Sequence, residues 1–166
     1  MSSSPSDPQD LPEESLDTRS SRAKFLAATC LGVGLLPGLP GTFASLVGMA
    51  VALLTAAEPL WQWSILGVAV VLSFWSIPSV IKSTDNQDPQ QVVIDEFCGI
   101  MLTFAGLPMT PAAIIAGFVA FRLFDITKPL FVRRLEQLPG ALGVLLDDLA
   151  AGFLARLVVL LALWIF

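Results

Sequence analysis

Apolar segments alternate with short polar connectors along most of this chain. They cover residues 25–36, 43–57, 60–81, 97–107, 111–124 and 149–166. A straight helix needs roughly 20 apolar residues to cross a bilayer, and only the second, third and last segments approach that length. The shorter segments must take up neighbouring residues, enter the bilayer partway or be shielded by protein. The pattern predicts an all-α fold, a polytopic integral membrane helical bundle with short or re-entrant helices.

The composition agrees with this pattern and sets the N-terminus apart. Of the 166 residues 55% are hydrophobic and 14% charged, with a mean hydropathy of +0.77, whereas a soluble domain carries roughly 25% charged residues. Residues 1–22 are rich in Ser, Pro and acids and contain too little apolar surface to fold. They also lack the basic start and apolar run of a secretory signal. We expect a disordered, cytosolic acidic tail over 1–22 and one membrane-embedded domain over 23–166.

The basic residues predict which side of the membrane each connector faces. If segments two to six each cross once, one side receives Arg19, Arg22, Lys24, Lys82, Lys128, Arg133 and Arg134. The opposite turns contain Glu58 and neither Lys nor Arg. Cytoplasmic connectors carry the excess of Lys and Arg, so we expect the basic side in the cytoplasm.

Acidic residues inside or at the mouth of apolar segments converge on that same side, namely Asp95, Glu96, Asp125, Asp147 and Asp148. A carboxylate in lipid costs about 2.5–3.5 kcal/mol even on lenient scales, unless it is paired, hydrated or bound to a cation. The chain has no histidine, and we expect its only cysteines, Cys30 and Cys98, to be small buried side chains. Clustered carboxylates suit a hard cation with oxygen ligands, so we predict a site for Mg²⁺ or Mn²⁺ and not for zinc. Asp85 and Asp88 have polar neighbours and fit a solvated loop instead.

Two of these acids are each followed by a glycine at a spacing of four. In a helix this spacing places Gly99 one turn beyond Asp95, and Gly152 one turn beyond Asp148, on the same face. The glycines leave room beside the carboxylates or allow close helix packing, and the two roles are compatible. We expect Asp147 and Asp148 at the start of the last helix, where the helix dipole favours a negative charge.

A base, an acid and a base follow one another at spacings of three, as Arg122, Asp125 and Lys128. On one helical face Asp125 can pair with both bases, which is a structural explanation of the motif. Pro129 disfavours helical geometry at the residue before it, so we expect the helix to end there. Lys128 would then lie at the interface, free to meet an anionic headgroup.

The connector at 36–45 offers another place for an anion. Its glycines and prolines are typical of an ordinary turn, but Thr42 and Ser45 are also placed to cap the next helix, whose free N–H groups suit an anion. A divalent ion beside cationic side chains at headgroup depth indicates a phosphate site, with a lipid phosphate as the natural substrate. The absence of histidine excludes phosphohistidine enzymes, Ser-His-Asp hydrolases and His-ligated zinc enzymes. The mechanism that remains is attack on the phosphate by metal-activated water, with a carboxylate as the general base.

Four blocks, at 36–46, 88–99, 121–129 and 143–152, resemble the phosphatidylglycerophosphatase A family, over about 24–160. These are integral membrane, Mg²⁺-dependent phosphatases that convert phosphatidylglycerophosphate to phosphatidylglycerol and inorganic phosphate. The resemblance implies this step of phospholipid biosynthesis, a multi-pass protein of the plasma (inner) membrane with its active site on the cytoplasmic face, and a phospholipid partner with no nucleic acid. It implies catalytic roles for Asp95, Glu96, Asp125 and Asp148, Mg²⁺ ligation by these four and Asp147, and phosphate binding by Thr42, Arg122 and Lys128.

This chain departs from the family pattern in two places. It has no histidine near 138–142, where many relatives carry one, and its acidic N-terminal extension has no counterpart. Two other functions are also open. Asp148, Gly152 and Arg156 echo the signature of CDP-alcohol phosphatidyltransferases, although Ala151 replaces an aspartate of that signature. A small cation-coupled transporter would also use buried acids, although here they gather at one interface and not at the midplane.

Overall fold

The computed structural model describes residues 13–165. Within them the chain forms seven α-helices, one 3₁₀ turn at Val33–Leu35 and no β-strand. The helices are α1 (Glu13–Ala28), α2 (Pro40–Leu54), α3 (Pro59–Thr84), α4 (Ile94–Phe104), α5 (Pro111–Thr127), α6 (Leu130–Glu136) and α7 (Ala141–Ile165). The predicted all-α bundle is confirmed for this part of the chain. Each apolar segment after the first lies mainly within one helix.

The N-terminal region differs from the prediction at both of its ends. α1 begins at Glu13, so residues 13–22, predicted as disordered, are helical, while residues 1–12 of the predicted tail lie outside the described residues. No Pro or Gly interrupts 13–28, and α1 packs against α3, which stabilises a helix that would be marginal alone. α1 ends at Ala28, because Cys30, Leu31 and Gly32 have positive φ and turn the chain back. The segment 25–36 therefore does not form a spanning helix.

Prolines mark the starts of three helices, as their fixed φ and missing N–H favour. Pro40, Pro59 and Pro111 begin α2, α3 and α5. The predicted capping of α2 by Thr42 and Ser45 is wrong: its N-cap is Leu39, which offers no side-chain acceptor, so Thr42 lies within the first turn. Ser45 instead donates its hydroxyl hydrogen to the Gly41 carbonyl oxygen, at 2.7 Å.

The last helix also begins earlier than predicted. α7 starts at Ala141, after Gly140 with its φ of 64°, and the apolar stretch before Asp147 continues the helix. Asp147 and Asp148 therefore lie beyond the first turn, where the helix dipole contributes little. Their positions must be stabilised by neighbouring side chains or by a bound cation.

The short helix α4 lies at the centre of the bundle, in contact with α2, α3, α5 and α7. Its side chains Ile100 and Phe104 are fully buried. Where α4 crosses α7, a Cβ on Gly152 would overlap the Gly99 carbonyl oxygen. The glycines thus serve close helix packing, one of the two roles that the sequence predicted.

Two of the described helices are long and apolar enough to cross a membrane. α3 has 26 residues and α7 has 25, each with a mean hydropathy of 2.0, which corresponds to lengths of roughly 38 Å. α2 is apolar but shorter. α3 exposes large apolar side chains such as Trp61, Val68 and Val71, as a surface that faces lipid would.

Candidate active site

Carboxylates from two helices meet at one end of the bundle. The first turn of α4 supplies Asp95 and Glu96, and α7 supplies Asp148. One carboxylate oxygen from each of these three lies within 4.8 Å of the others. Asp95 and Asp148 are only 5% and 4% exposed, so their carboxyl groups are held together away from bulk water. The contact between the α4 and α7 backbones produces this proximity.

A cavity of about 280 Å³ opens beside these acids. It is lined by Gln87, Asp88, Asp95, Glu96, Asp125, Lys128, Glu136, Leu138, Gly140, Val144, Asp147 and Asp148. The structure thus brings together all five acids singled out from the sequence, together with Lys128. Asp88 is exposed, as expected for a solvated loop, but it also lines the mouth of this cavity.

The environment of Glu96 fits a cation. Its Oε2 atom is buried, and no described residue forms a hydrogen bond with it. On its other side the first turn of α2 presses against the carboxylate, since a Cβ on Gly41 would overlap Oε1. A buried acceptor without a partner is costly, and a cation bound between Glu96, Asp95 and Asp148 would relieve that cost. The donor set is oxygen only, which suits Mg²⁺.

Asp125 joins this group from the last turn of α5. Its negative charge repels that of the Asp148 carboxylate. Its Oδ2 accepts a hydrogen bond from Arg122 Nη1 at 2.6 Å. The same Arg122 nitrogen lies 3.4 Å from the Ser45 hydroxyl oxygen on α2. Arg122 is absent from the cavity lining, so in this arrangement it orients Asp125 and does not face the cavity.

Lys128 ends α5 in a left-handed conformation, with φ of 42°, where the proline rule predicted the end. Its Nζ donates to Asp147 Oδ2 and to Glu136 Oε1, both at 2.7 Å. Burial opposes its charge, but these two hydrogen bonds outweigh that effect and raise the pKa of Lys128 above its ordinary value. Lys128 pairs with these residues and not with Asp125, because the left-handed turn directs it toward α6 and α7.

One residue predicted for the site lies outside the cavity, and two residues that line the cavity were not predicted from the sequence. Thr42 is half-buried in the first turn of α2 and does not line the cavity. Glu136 and Gln87 line it but were not predicted. Glu136 belongs to a helix of 7 residues, too short to produce a periodic signal, and Gln87 resembles any polar loop residue.

Known proteins match most of this chain. The sequence model of phosphatidylglycerophosphatase A matches residues 26–163. The chain belongs to the phosphatidylglycerophosphatase A family. A Bacteroides thetaiotaomicron protein, provisionally named a phosphatidylinositol-3-phosphatase, is 33% identical over 89% of this chain and 98% of its own length.

Two further relatives carry the family name itself. Phosphatidylglycerophosphatase A of Haemophilus influenzae is 32% identical over 81% of this chain and 85% of its own length. Phosphatidylglycerophosphatase A of Escherichia coli K12 is 31% identical over 84% of this chain and 86% of its own length. No solved structure matches this phosphatidylglycerophosphatase A family member.

Membership confirms the resemblance seen in the sequence, and it confirms the prediction of a phosphatase enzyme. The family is neither a transferase nor a carrier family, so it does not favour the two other functions considered above. Together with the two apolar helices it makes the chain a membrane protein.

Proposed function

We propose that this protein is an Mg²⁺-dependent phosphatidylglycerophosphatase, which hydrolyses the terminal phosphate of phosphatidylglycerophosphate. The observation that carries the proposal is the group Asp95, Glu96 and Asp148, with ligand oxygens within 4.8 Å of one another, in a cavity that Lys128 also lines. Two relatives named phosphatidylglycerophosphatase A support the choice of substrate.

The residues divide into those that hold the cation and those that act on the phosphate. Asp95, Glu96 and Asp148 would hold Mg²⁺, with Asp147 beside them. When bound, Mg²⁺ neutralises phosphoryl oxygens and lowers the pKa of a water molecule. Lys128 binds a phosphate oxygen with its ammonium group, as charge-assisted hydrogen bonds allow.

Asp125 is the candidate for the general base. Only one of its oxygens is held by Arg122, and the other can accept a proton from the attacking water. The salt bridge to Arg122, at 2.6 Å, holds the Asp125 carboxylate in a fixed orientation beside the cation site. Arg122 thus acts on the reaction through Asp125.

We also propose that the protein crosses the plasma membrane several times with this site on the cytoplasmic face. Lys128, Arg133 and Arg134 lie at the same end of the bundle as the cavity, while the turn between α2 and α3 carries Glu58 and no basic residue. The positive-inside rule assigns the basic end to the cytoplasm. At that depth the cavity meets the headgroups and not the acyl chains.

The test is phosphate release from phosphatidylglycerophosphate by the purified protein in detergent, with Mg²⁺ or with a chelator. We expect release with Mg²⁺ only, and a loss of more than about 100-fold in Asp95→Asn, since even outer-shell changes at metal sites cost 10–100-fold. Asp85→Asn is the matched control, because Asp85 is exposed and does not line the cavity. Undiminished release with chelator, or an active Asp95→Asn protein, would contradict the proposal.

A second substrate needs the same assay. The Bacteroides thetaiotaomicron relative, whose name points to a phosphoinositide, aligns along 98% of its length. Phosphatidylinositol 3-phosphate should therefore be offered in parallel. Faster release from it than from phosphatidylglycerophosphate would reassign the substrate and leave the metal site unchanged.

A further inference from the structure

The two carboxylates that bind Lys128 differ in how firmly they are held. Asp147 has a side chain that is 6% exposed, against 41% for Glu136, although both oxygens lie 2.7 Å from Nζ. Asp147 also accepts a hydrogen bond from the backbone N–H of Asp148 at 3.0 Å. In the described part of the chain the Glu136 carboxylate has Lys128 as its one hydrogen-bond partner. Asp147 is thus a fixed partner, whereas Glu136 can leave.

An exposed ion pair is weak, because water and salt screen it and both side chains lose rotamer freedom in forming it. Glu136 lies at the end of α6, so rotation of its side chain alone is enough to release Lys128. Lys128 and Glu136 both line the cavity that contains the acids. The freed donor of the ammonium group would therefore be available to a ligand within that cavity.

A phosphate oxygen can replace the Glu136 carboxylate oxygen at the Lys128 ammonium group. Like the Glu136 carboxylate oxygen, it is a negatively charged acceptor, and the lysine ammonium offers three donors and no acceptor. We propose that Glu136 is a displaceable counter-ion, which holds Lys128 while no phosphate is bound and is replaced by a phosphate oxygen of the substrate. The nature of the substrate rests on the proposed function, but the exchange at Lys128 requires only that phosphate binds here.

This exchange would also influence selectivity. Any phosphate must compete with Glu136, so free inorganic phosphate binds more weakly than it would to an unpaired Lys128. A lipid phosphate gains additional binding from the rest of its molecule and tolerates the competition better. Glu136 would then promote release of the product phosphate.

The test uses Glu136→Gln, which keeps the size of the side chain and removes its charge. Binding of inorganic phosphate to the purified full chain with Mg²⁺ would be measured by calorimetry. We expect binding about threefold tighter than in the wild type, the size of effect typical of one exposed ion pair. Asp88→Asn is the matched control, since Asp88 lines the same cavity and does not bind Lys128. Asp88→Asn reports the through-space effect of removing one negative charge, and we expect it to change phosphate affinity by less than about twofold.

The outcomes separate this proposal from the proposed function. Tighter phosphate binding in Glu136→Gln than in Asp88→Asn supports displacement, even for a protein that fails to hydrolyse phosphatidylglycerophosphate. Equal effects of the two substitutions, unchanged or weaker binding in Glu136→Gln, or a wild type that binds no phosphate would each overturn it. Glu136→Ala serves as the second variant if Glu136→Gln unfolds at a lower temperature than the wild type.

Discussion

The α-carbon of Gly152 on α7 lies directly against the carbonyl oxygen of Gly99 on α4, so the two helix backbones touch. The contact is reciprocal, because a Cβ on Gly99 would come within 2.6 Å of the Asp148 carbonyl oxygen. Asp95 and Asp148 each lie one helical turn before their glycine. The helix crossing therefore sets the distance between the two carboxylates.

Gly152→Ala should separate α4 from α7, because its Cβ meets backbone and not a flexible side chain. We expect destabilisation of about 1–3 kcal/mol, as for other overpacked sites, and a loss of activity as the carboxylates move apart. Thermal unfolding in detergent and the phosphate-release assay measure the two effects. Gly67→Ala is the control, since nothing lies within 4 Å of its Cβ position; alanine there should stabilise α3 by about 0.5–1 kcal/mol. Equal unfolding temperatures for both variants would contradict the backbone contact.

Gly41→Ala should damage the cation site without unfolding the protein. The added Cβ would meet the end of the Glu96 side chain, which can move aside. The three atoms nearest to it all belong to that side chain and none to a backbone. We expect an unfolding temperature close to that of the wild type and a Mg²⁺ affinity lowered by about 10–100-fold, the range for changes just outside a metal's ligands. Mg²⁺ titration of activity and Mn²⁺ binding followed by electron paramagnetic resonance measure it. Unchanged affinity would mean that Glu96 is not a ligand.

The hydrophobic pattern predicted most of the fold, since each apolar segment after the first lies mainly within one helix and prolines begin three of the helices. The end of α1 was not predictable in this way. The chain turns at Cys30 and Leu31, residues without turn propensity, and a hydrogen bond from the Val93 N–H to the Ala28 carbonyl, at 2.9 Å, holds this turn from a distant part of the chain. Only tertiary structure reveals such a partner.

The acids of the site were predictable for a different reason. Carboxylates next to apolar segments need a partner, and the predicted order of membrane crossings placed all five on one side. Their individual partners were not. Lys128 was expected to face Asp125 or a headgroup, but the left-handed turn before α6 directs it to Glu136 and Asp147. Arg122 was expected to bind phosphate, yet it contacts Asp125 and Ser45. The partners of Lys128 and Arg122 depend on the direction of side chains near the end of a helix, which hydrophobic periodicity does not predict.

The role of Arg122 can be read from kinetics. If Arg122 orients Asp125, Arg122→Gln should lower kcat by about 10–100-fold, as loss of an orienting partner does, and leave KM nearly unchanged. If instead it binds phosphate, KM should rise. Ser45→Ala removes the 3.4 Å contact with Arg122 and the hydrogen bond to the Gly41 carbonyl oxygen, but leaves the pair of Arg122 and Asp125 in place. It should therefore have a smaller effect of the same kind. A higher KM with unchanged kcat in Arg122→Gln would restore the phosphate-binding interpretation.

Lys128→Met should destabilise the fold, because it leaves the carboxylate of Asp147, 6% exposed, without its cation. Breaking a buried pair costs about 3–5 kcal/mol, and we expect the lower end because Lys128 is 23% exposed. Asp147→Asn in the same protein should recover much of the loss, since the buried carboxylate that lost its cation is replaced by a neutral amide. Unfolding in the presence of a chelator separates this effect from cation binding. A double variant less stable than Lys128→Met would contradict the pairing.

The same lysine makes a prediction about pH. Its hydrogen bonds to Asp147 and Glu136 overcome the effect of burial and raise the pKa of Lys128 in the folded state. A raised pKa contributes stability that is fully present below the ordinary lysine value of about 10.4 and is lost only as pH rises through the folded value. Between about pH 8 and 9.5 the difference in unfolding temperature between wild type and Lys128→Met should stay constant. A difference that shrinks across this range would show that Lys128 loses its proton there.

The orientation of the bundle can be tested by labelling single cysteines in a protein that carries Cys30→Ala and Cys98→Ala. Arg134→Cys reports the end of the bundle with the cavity, and Ala57→Cys reports the turn between α2 and α3; both positions are exposed. If basic residues face the cytoplasm, a membrane-impermeant maleimide should label Ala57→Cys in intact cells and Arg134→Cys only after permeabilisation. The reverse pattern would place Lys128 and the acids outside the cytoplasm. A substrate made inside the cell would then have to cross the bilayer before hydrolysis.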